Sequence, residues 1–194
     1  VEAKEKPATG GAVQAGTGKK VYLTFDDGPS KETEKILDIL KKRQVKATFF
    51  SIGRDDAFSK KMYQRIVKEG HTLGMHSYSH QYKEIYQSMD AFQADYERIS
   101  NCLTAATGIK PLYYRFPGGS TEVTEKLQMT DLDAYFNAQG ASYFDWNVIA
   151  ANNTTDDVSV NKMVDSVMNG VALYDTSIVL MYDSVDRKMT AKSL

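Results

Sequence analysis

The sequence predicts an α/β protein in which a parallel sheet is covered by helices. Short apolar runs rich in β-formers alternate with longer segments whose apolar residues recur every three or four positions, the signature of strand, helix and strand joined by right-handed crossovers. The polar residues that chemistry uses fall at the ends of the runs, where the loops of a helix-covered parallel sheet open. The first run, Val21 to Phe25, leads straight into Asp26 and Asp27 and then Gly28 and Pro29. It reads as a buried strand ending in two adjacent carboxylates. Alternation alone leaves open whether the sheet closes on itself.

With 194 residues the chain can bury one sizeable core, and its length favours one domain. Lysine plus arginine number 24 against 25 aspartate plus glutamate, a net charge of -1. There is no basic stripe, only short runs such as Lys41, Lys42 and Arg43, which argues against a nucleic-acid partner. Cys102 is the sole cysteine, so no internal disulfide forms, and its place on the apolar side of a predicted helix makes it a small buried filler. No apolar run approaches the length of a membrane span, and the first residues lack the apolar stretch of a signal peptide. The expectation is a cytoplasmic chain or one whose targeting segment was removed. Residues 1–20 hold Gly, Ala, Thr and Lys with almost no large apolar side chain, and read as a flexible linker with more sequence upstream. Residues 21–194 form the folded domain.

After the opening strand, Ser30 is placed to cap a helix whose buried stripe is Ile36, Leu37, Ile39 and Leu40. Lys41, Lys42 and Arg43 suit the negative end of its dipole. Ala47 to Ile52, bounded by Gly53, is the second strand. From Asp56 to Glu69, Phe58, Met62, Ile66 and Val67 recur at helical spacing, and Gly70 ends the helix. His71 to Ser77 is the third strand. The clearest helical period runs from Ser88 to Thr107 through Met89, Phe92, Tyr96, Ile99 and Leu103. Leu112 to Arg115 is the fourth strand, followed by a Pro117-Gly118-Gly119 turn. A helix from Val123 to Ala138 is closed by Gly140, and Ala141 to Ile149 is the fifth strand. Asn152 to Asp157 is a polar loop, Val158 to Leu173 a helix, and Ser177 to Asp183 the sixth strand. A seventh helix begins near Thr190 just as the chain stops at Leu194, the expectation for a chain trimmed at its C-terminal helix.

Two neighbouring carboxylates repel unless a cation sits beside them, so Asp26 and Asp27 ask for a metal or an arginine. His76 and His80, four apart in HSYSH, share a face if the chain turns helically after the third strand, and can then share a metal. One carboxylate with two histidines is a common ligand set for a catalytic divalent ion. Zinc is the first expectation, with cobalt, nickel and manganese as alternatives. In a zincin the general base stands between the histidines; here Ser77, Tyr78 and Ser79 occupy those places, so the base comes from elsewhere, Asp26 or Asp27. Arg115 is placed to hold a carboxylate ionised, and the glycine turn after it offers backbone N–H groups to an oxyanion. Asp145 and the only tryptophan, Trp146, end the fifth strand, the latter as a pocket wall. His71 lies at the far end of its strand and reads as structural.

The ordered segments TFDDG, HSYSH, RFPGG, DW and LMYD resemble the polysaccharide deacetylases, family 4 carbohydrate esterases, from Val21 to about Asp183. RFPGG and DWNV are most similar to bacterial peptidoglycan N-acetylglucosamine deacetylases. The resemblance implies a distorted (β/α) barrel of about seven strands. It also implies metal-dependent hydrolysis of the acetamido group of N-acetylglucosamine in peptidoglycan or a related glycan, releasing acetate. On that likeness Asp26 is the general base; Asp27, His76 and His80 hold the metal; and Arg115 steadies Asp26. Trp146 and Leu180 wall the slot for the acetyl methyl, and a backbone N–H near Gly118 meets the oxyanion.

One position departs from the family. Two residues after leucine in the last motif the family has a histidine, the acid for the leaving amine, oriented by the aspartate that here is Asp145. This chain has Tyr182. A phenol with its usual pKa near 10 is a poorer proton donor at neutral pH than an imidazole near 6.5. General acid catalysis is worth roughly 10²- to 10⁴-fold, so metal binding is expected intact and turnover reduced by that order. The alternatives are a glycan-binding relic that keeps metal and groove, an O-acetyl xylan esterase, or a chitin deacetylase. The expected partner is a glycan, with no nucleic acid and no membrane span in this chain. An external polymer as substrate would place the protein outside the cell or at its wall, as an excised ectodomain.

Overall fold

The computed structural model describes residues 13–14, 18–123, 127–150, 159–186 and 189–194. The run rich in β-formers becomes the long central strand β2 (Lys20–Asp26), preceded by a two-residue antiparallel strand β1 (Val13–Gln14). The rest of the sheet is parallel: β3 (Thr48–Ser51), β4 (Thr72–Met75), β5 (Tyr113–Tyr114), β6 (Ser142–Tyr143), β7 (Val148–Ile149) and β8 (Thr176–Tyr182). The spatial order is β6-β5-β4-β3-β2-β8-β7, so β6 and β7, consecutive in the chain, are the two edges. Laid flat, seven strands spaced about 4.8 Å apart would separate those edges by roughly 29 Å. Tyr143 and Val148 are five residues apart, a reach of at most about 18 Å. The sheet therefore curls into a half-barrel whose open seam is spanned by residues 144–147. This is the distorted barrel expected from the sequence.

Helices cover the outer face. They are α1 (Lys31–Arg43), α2 (Ala57–Lys68), the single turn α3 (Tyr82–Ile85), α4 (Met89–Thr107), α5 (Met129–Gln139), α6 (Val160–Ala172) and α7 (Met189–Ser193). Ser30, Asp56, Ser88 and Ser159 cap α1, α2, α4 and α6 through their side chains, satisfying N–H groups that a helix start leaves unpaired. Alternate strand residues point outward: Phe25 and Phe49 stack 5.0 Å apart and pack with Ile36, Leu37, Met62 and Ile66, all fully buried. On the α4–α5 side Phe92, Tyr96, Tyr114, Phe116 and Phe136 form a cluster rich in edge-to-face contacts. Inward-facing residues such as Thr24, Phe50 and Arg115 border an interior cavity of about 350 Å³. Among the described residues no helix is long and apolar enough to cross a membrane.

The structure corrects several expectations. The single fifth strand, residues 141–149, is two short strands on opposite edges, because residues 144–147 leave β5 to reach β8. Phe144 N–H donates to the Tyr114 carbonyl at 2.9 Å and Asn147 N–H to Ile178 at 3.2 Å. The fourth strand stops at Tyr114, one residue before Arg115. The helix expected from Val123 begins at Met129, with residues 124–126 outside the described set. The polar loop at 152–157 and most of the 1–20 linker also lie outside it, although Val13 and Gln14 pair with Val21 and Lys20. Neither α3 nor a 3-10 turn at Ser120–Glu122 was legible in the periodicity. Cys102 is only partly covered, at the edge of α4 against the Arg54 carbonyl, rather than a buried filler.

His71 is structural as read: it is buried, lies edge-on to Phe49, and its Nδ1 accepts the Ala47 N–H at 3.2 Å. Burial pulls its pKa down to about 4, helped by Lys46. An unfolded histidine titrates near 6.5, so between these values the unfolded chain binds more protons and stability falls as pH drops. The full effect is on the order of 3 kcal/mol. Denaturant titrations from pH 7 to 4 are expected to show this loss in the wild type and a flatter profile in His71→Gln, which keeps an acceptor for Ala47.

Candidate active site

The site forms where β2, β4 and β5 end. Asp26 is the last residue of β2 and is buried; Asp27 follows in a left-handed conformation, φ 76°, which turns its carboxylate out of the strand. The chain can turn there because Gly28 lies against the buried Asp183. A Cβ on Gly28 would fall 2.1 Å from Asp183 Oδ2. Asp183 accepts the Gly28 N–H at 2.8 Å and the Thr33 hydroxyl at 2.6 Å, and burial raises its pKa to about 7.

His76 follows β4 and is held twice: its N–H donates to the Ser51 carbonyl at 2.9 Å, and its Nδ1 lies 2.8 Å from the Arg115 carbonyl. Nδ1 therefore carries the proton, and the Nε2 lone pair is free. Nε2 is 3.4 Å from Asp27 Oδ1, and His80 Nε2 is 3.3 Å from the same oxygen. The buried His80 Nε2 makes no well-formed hydrogen bond among the described residues. Tetrahedral zinc with bonds of about 2.0–2.1 Å puts neighbouring ligand atoms roughly 3.3 Å apart. The ligand atoms of Asp27, His76 and His80 all lie within 4.8 Å of one another, so their spacing and chemistry fit a single divalent ion. Ser77 and His80 are also left-handed, at φ 68° and 56°, backbone strain of the kind that collects at functional sites.

Arg115 is completely buried. Nη1 donates to Asp26 Oδ1 at 2.9 Å and to the Thr24 hydroxyl at 2.7 Å; Nε donates to the Phe144 carbonyl at 2.9 Å and Nη2 to that of Asp145 at 3.2 Å. Burial pushes the Asp26 carboxyl up, and Arg115 and His76 pull it back only in part, so it titrates above the ordinary carboxylate value. Burial also pushes Asp27 up, but His76 and His80 outweigh it and hold that carboxyl well below the usual range. The adjacent acids are thus driven apart, one toward a base and one toward an anionic ligand.

Trp146 packs on the glycine turn, where a Cβ on Gly119 would lie 3.0 Å from its ring. The Gly119 N–H is spent on the Phe116 carbonyl, whereas the Gly118 N–H has no acceptor among the described residues. Asp145 accepts the Ser120 N–H at 3.0 Å and the Ser120 hydroxyl. Tyr182 pairs in register with Asp26, and Leu180 with Thr24, so both share the inner face with the base and the arginine. The residues given site roles in the sequence lie at this end of the barrel. Thr24 and Ser120 were not singled out: a hydroxyl two residues before the aspartates, and one directly after the glycine turn, were the only signals.

A half-barrel with an Asp-His-His cluster that fits one divalent ion and a buried carboxylate–arginine pair at its carboxyl end is the arrangement of a candidate hydrolytic site. The family model for polysaccharide deacetylase matches residues 14–136, and the chain belongs to that family. It is 37% identical over 130 residues, 67% of this chain and 45% of the relative, to the putative polysaccharide deacetylase YheN of Bacillus subtilis (strain 168). It is 33% identical over 150 residues, 77% of this chain and 54% of the relative, to a peptidoglycan-N-acetylglucosamine deacetylase of Bacillus cereus. The chain thus spans about half the length of these curated relatives. The catalytic domain of a peptidoglycan N-acetylglucosamine deacetylase from Eubacterium rectale superposes with a TM-score of 0.81 at 37% identity, covering 96% of this chain and 86% of that one. A mutant of BA3943, a CE4 family pseudoenzyme with restored enzymatic activity, superposes with a TM-score of 0.68 at 26% identity, covering 89% and 59%. Members of the family are hydrolases that act on acetyl groups of glycans, and the family is generally metal-dependent.

Removing one ligand tests the cluster. His80→Ala is expected to lower affinity for zinc and for cobalt by more than the roughly 10- to 100-fold that loss of an outer hydrogen-bond partner costs. Competition against a chromophoric chelator measures it.

Proposed function

We propose that this domain removes the acetyl group from N-acetylglucosamine residues of peptidoglycan or a related glycan, with zinc held by Asp27, His76 and His80. The observation that carries the reading is the buried Asp26, paired with Arg115, directly beside a three-ligand cluster. The ion would supply polarisation of the acetamido carbonyl and acidification of water. Asp26, made more basic by burial, is placed to take a proton from the attacking water as its oxygen adds to the carbonyl carbon. Arg115 keeps the carboxylate aimed by hydrogen bonds to Asp26 and to the backbone of the segment that crosses the seam. The free Gly118 N–H stabilises the carbonyl oxygen as it gains charge. Leu180 and Trp146 close off the acetyl methyl. The C–N bond then breaks, the amine takes up the proton that Asp26 accepted, and acetate leaves. The substrate being an external polymer, the domain acts outside the cell or at its wall.

Position 182 favours a second reading. With a phenol where the family places its imidazole acid, the domain is a slow deacetylase or a glycan-binding relic. An O-acetyl esterase is the third arm, because an alkoxide leaves more readily than an amine.

Acetate release from N-acetylglucosamine oligomers, with an O-acetylated xylan oligomer alongside, separates the three. Deacetylation of the amino sugar, lowered roughly 10²- to 10⁴-fold in Asp26→Asn with zinc binding retained, is the expected result. Tyr182→His is expected to raise kcat on the amide by a factor of the same order and to change ester hydrolysis far less. Ordinary amide turnover in the wild type with no gain in Tyr182→His would refute the role given to position 182.

A further inference from the structure

His76 and His80 are positioned by different means. His76 ends a strand, and the Ser51 and Arg115 carbonyls fix its backbone and ring. His80 lies beyond the strand, in a loop where Ser77 and His80 itself are left-handed, and its own N–H reaches only the Ser77 hydroxyl at 2.9 Å. The loop between them is held from outside by α4. Asp95 Oδ2 accepts the Tyr78 N–H at 2.8 Å, and Oδ1 accepts the Ser79 N–H at 2.9 Å. One carboxylate therefore holds both consecutive amides just before the second imidazole. One turn along the same edge of α4, the Arg98 guanidinium lies 3.7 Å from the Tyr78 ring centroid. On another side of that ring Gly53 approaches so closely that a Cβ there would fall 2.2 Å from Tyr78 Cδ2. The Tyr78 hydroxyl donates to Asp55 at 2.5 Å.

We propose that Asp95 is a positioning residue of the metal site: by holding the Tyr78 and Ser79 amides it sets where His80 Nε2 stands relative to Asp27 and His76. This rests on the cluster taking a divalent ion, but not on the identity of the substrate. The physical reason is that a bent loop with two left-handed residues has several nearby alternatives, and the three ligand atoms match an ion's bond lengths only in one of them. Two charge-assisted hydrogen bonds from a rigid helix select that one before the ion arrives. Asp95 touches neither ion nor substrate in this scheme and acts only through His80.

The test is zinc affinity of the purified protein by chelator competition, with the cobalt absorption spectrum as a second readout and the melting temperature of the metal-free protein as a control. Asp95→Ala is expected to weaken zinc binding roughly 10- to 100-fold and to alter the cobalt spectrum, while the metal-free protein still melts cooperatively near the wild type. Asp95→Asn, which keeps one acceptor oxygen, is expected to fall between. In a His80→Ala background, Asp95→Ala should add no further loss, because the ligand it positions is gone. Unchanged zinc affinity and cobalt spectrum in Asp95→Ala, whatever its melting temperature, would overturn the proposal. So would an equal loss of affinity in the presence and absence of His80. A wild type that binds no zinc or cobalt would instead remove the metal reading itself, and this proposal with it.

Discussion

The fully buried guanidinium of Arg115 is the interaction on which the site depends. Placing a cation inside a barrel costs several kcal/mol unless charge and hydrogen bonds surround it. Here the surroundings are the Asp26 carboxylate, the Thr24 hydroxyl and the Phe144 and Asp145 carbonyls, with Phe50 stacked 4.2 Å away. These groups come from the central strand and from the segment that crosses the seam, so one side chain ties the middle of the sheet to its closure. Its own carbonyl accepts from His76 Nδ1, which sets the tautomer of a metal ligand. Asp26, His76 and barrel closure thus share a single residue.

Around that residue the protein separates two neighbouring acids by environment. Asp26 stays on the strand, buried, where desolvation makes it basic; Asp27 turns out into the reach of two imidazoles, which favour its anion. The turn that parts them exists because Gly28 has no side chain to strike Asp183. A metal held on the outer acid leaves the inner one free to accept a proton, the division of labour that hydrolytic metal sites require.

Position 182 strains this arrangement. The register places Tyr182 beside Asp26 on the inner face, so the substitution falls within the site and not at its margin. The Asp27, His76 and His80 cluster and the Asp26–Arg115 pair are in place around it.

Much of this was legible in the chain. Alternating periodicity gave the helix-covered parallel sheet because burial imposes a period on each element. The Asp-Asp and His-x-x-x-His spacings pointed to the cluster of Asp27, His76 and His80 because those residues lie close in sequence to the strand ends that present them. The departure at Tyr182 was visible for the same reason. What only the tertiary structure decided are relations between distant parts: Arg115 meets Thr24 across 91 residues, the Tyr78 amide meets Asp95 across 17, and Asp145 meets Ser120 across 25. The division of the fifth strand is of this kind too. Nothing local interrupts residues 141–149; the break arises because the segment must leave one edge of a curled sheet and reach the other, a demand set by closure and invisible to any pattern of neighbouring residues.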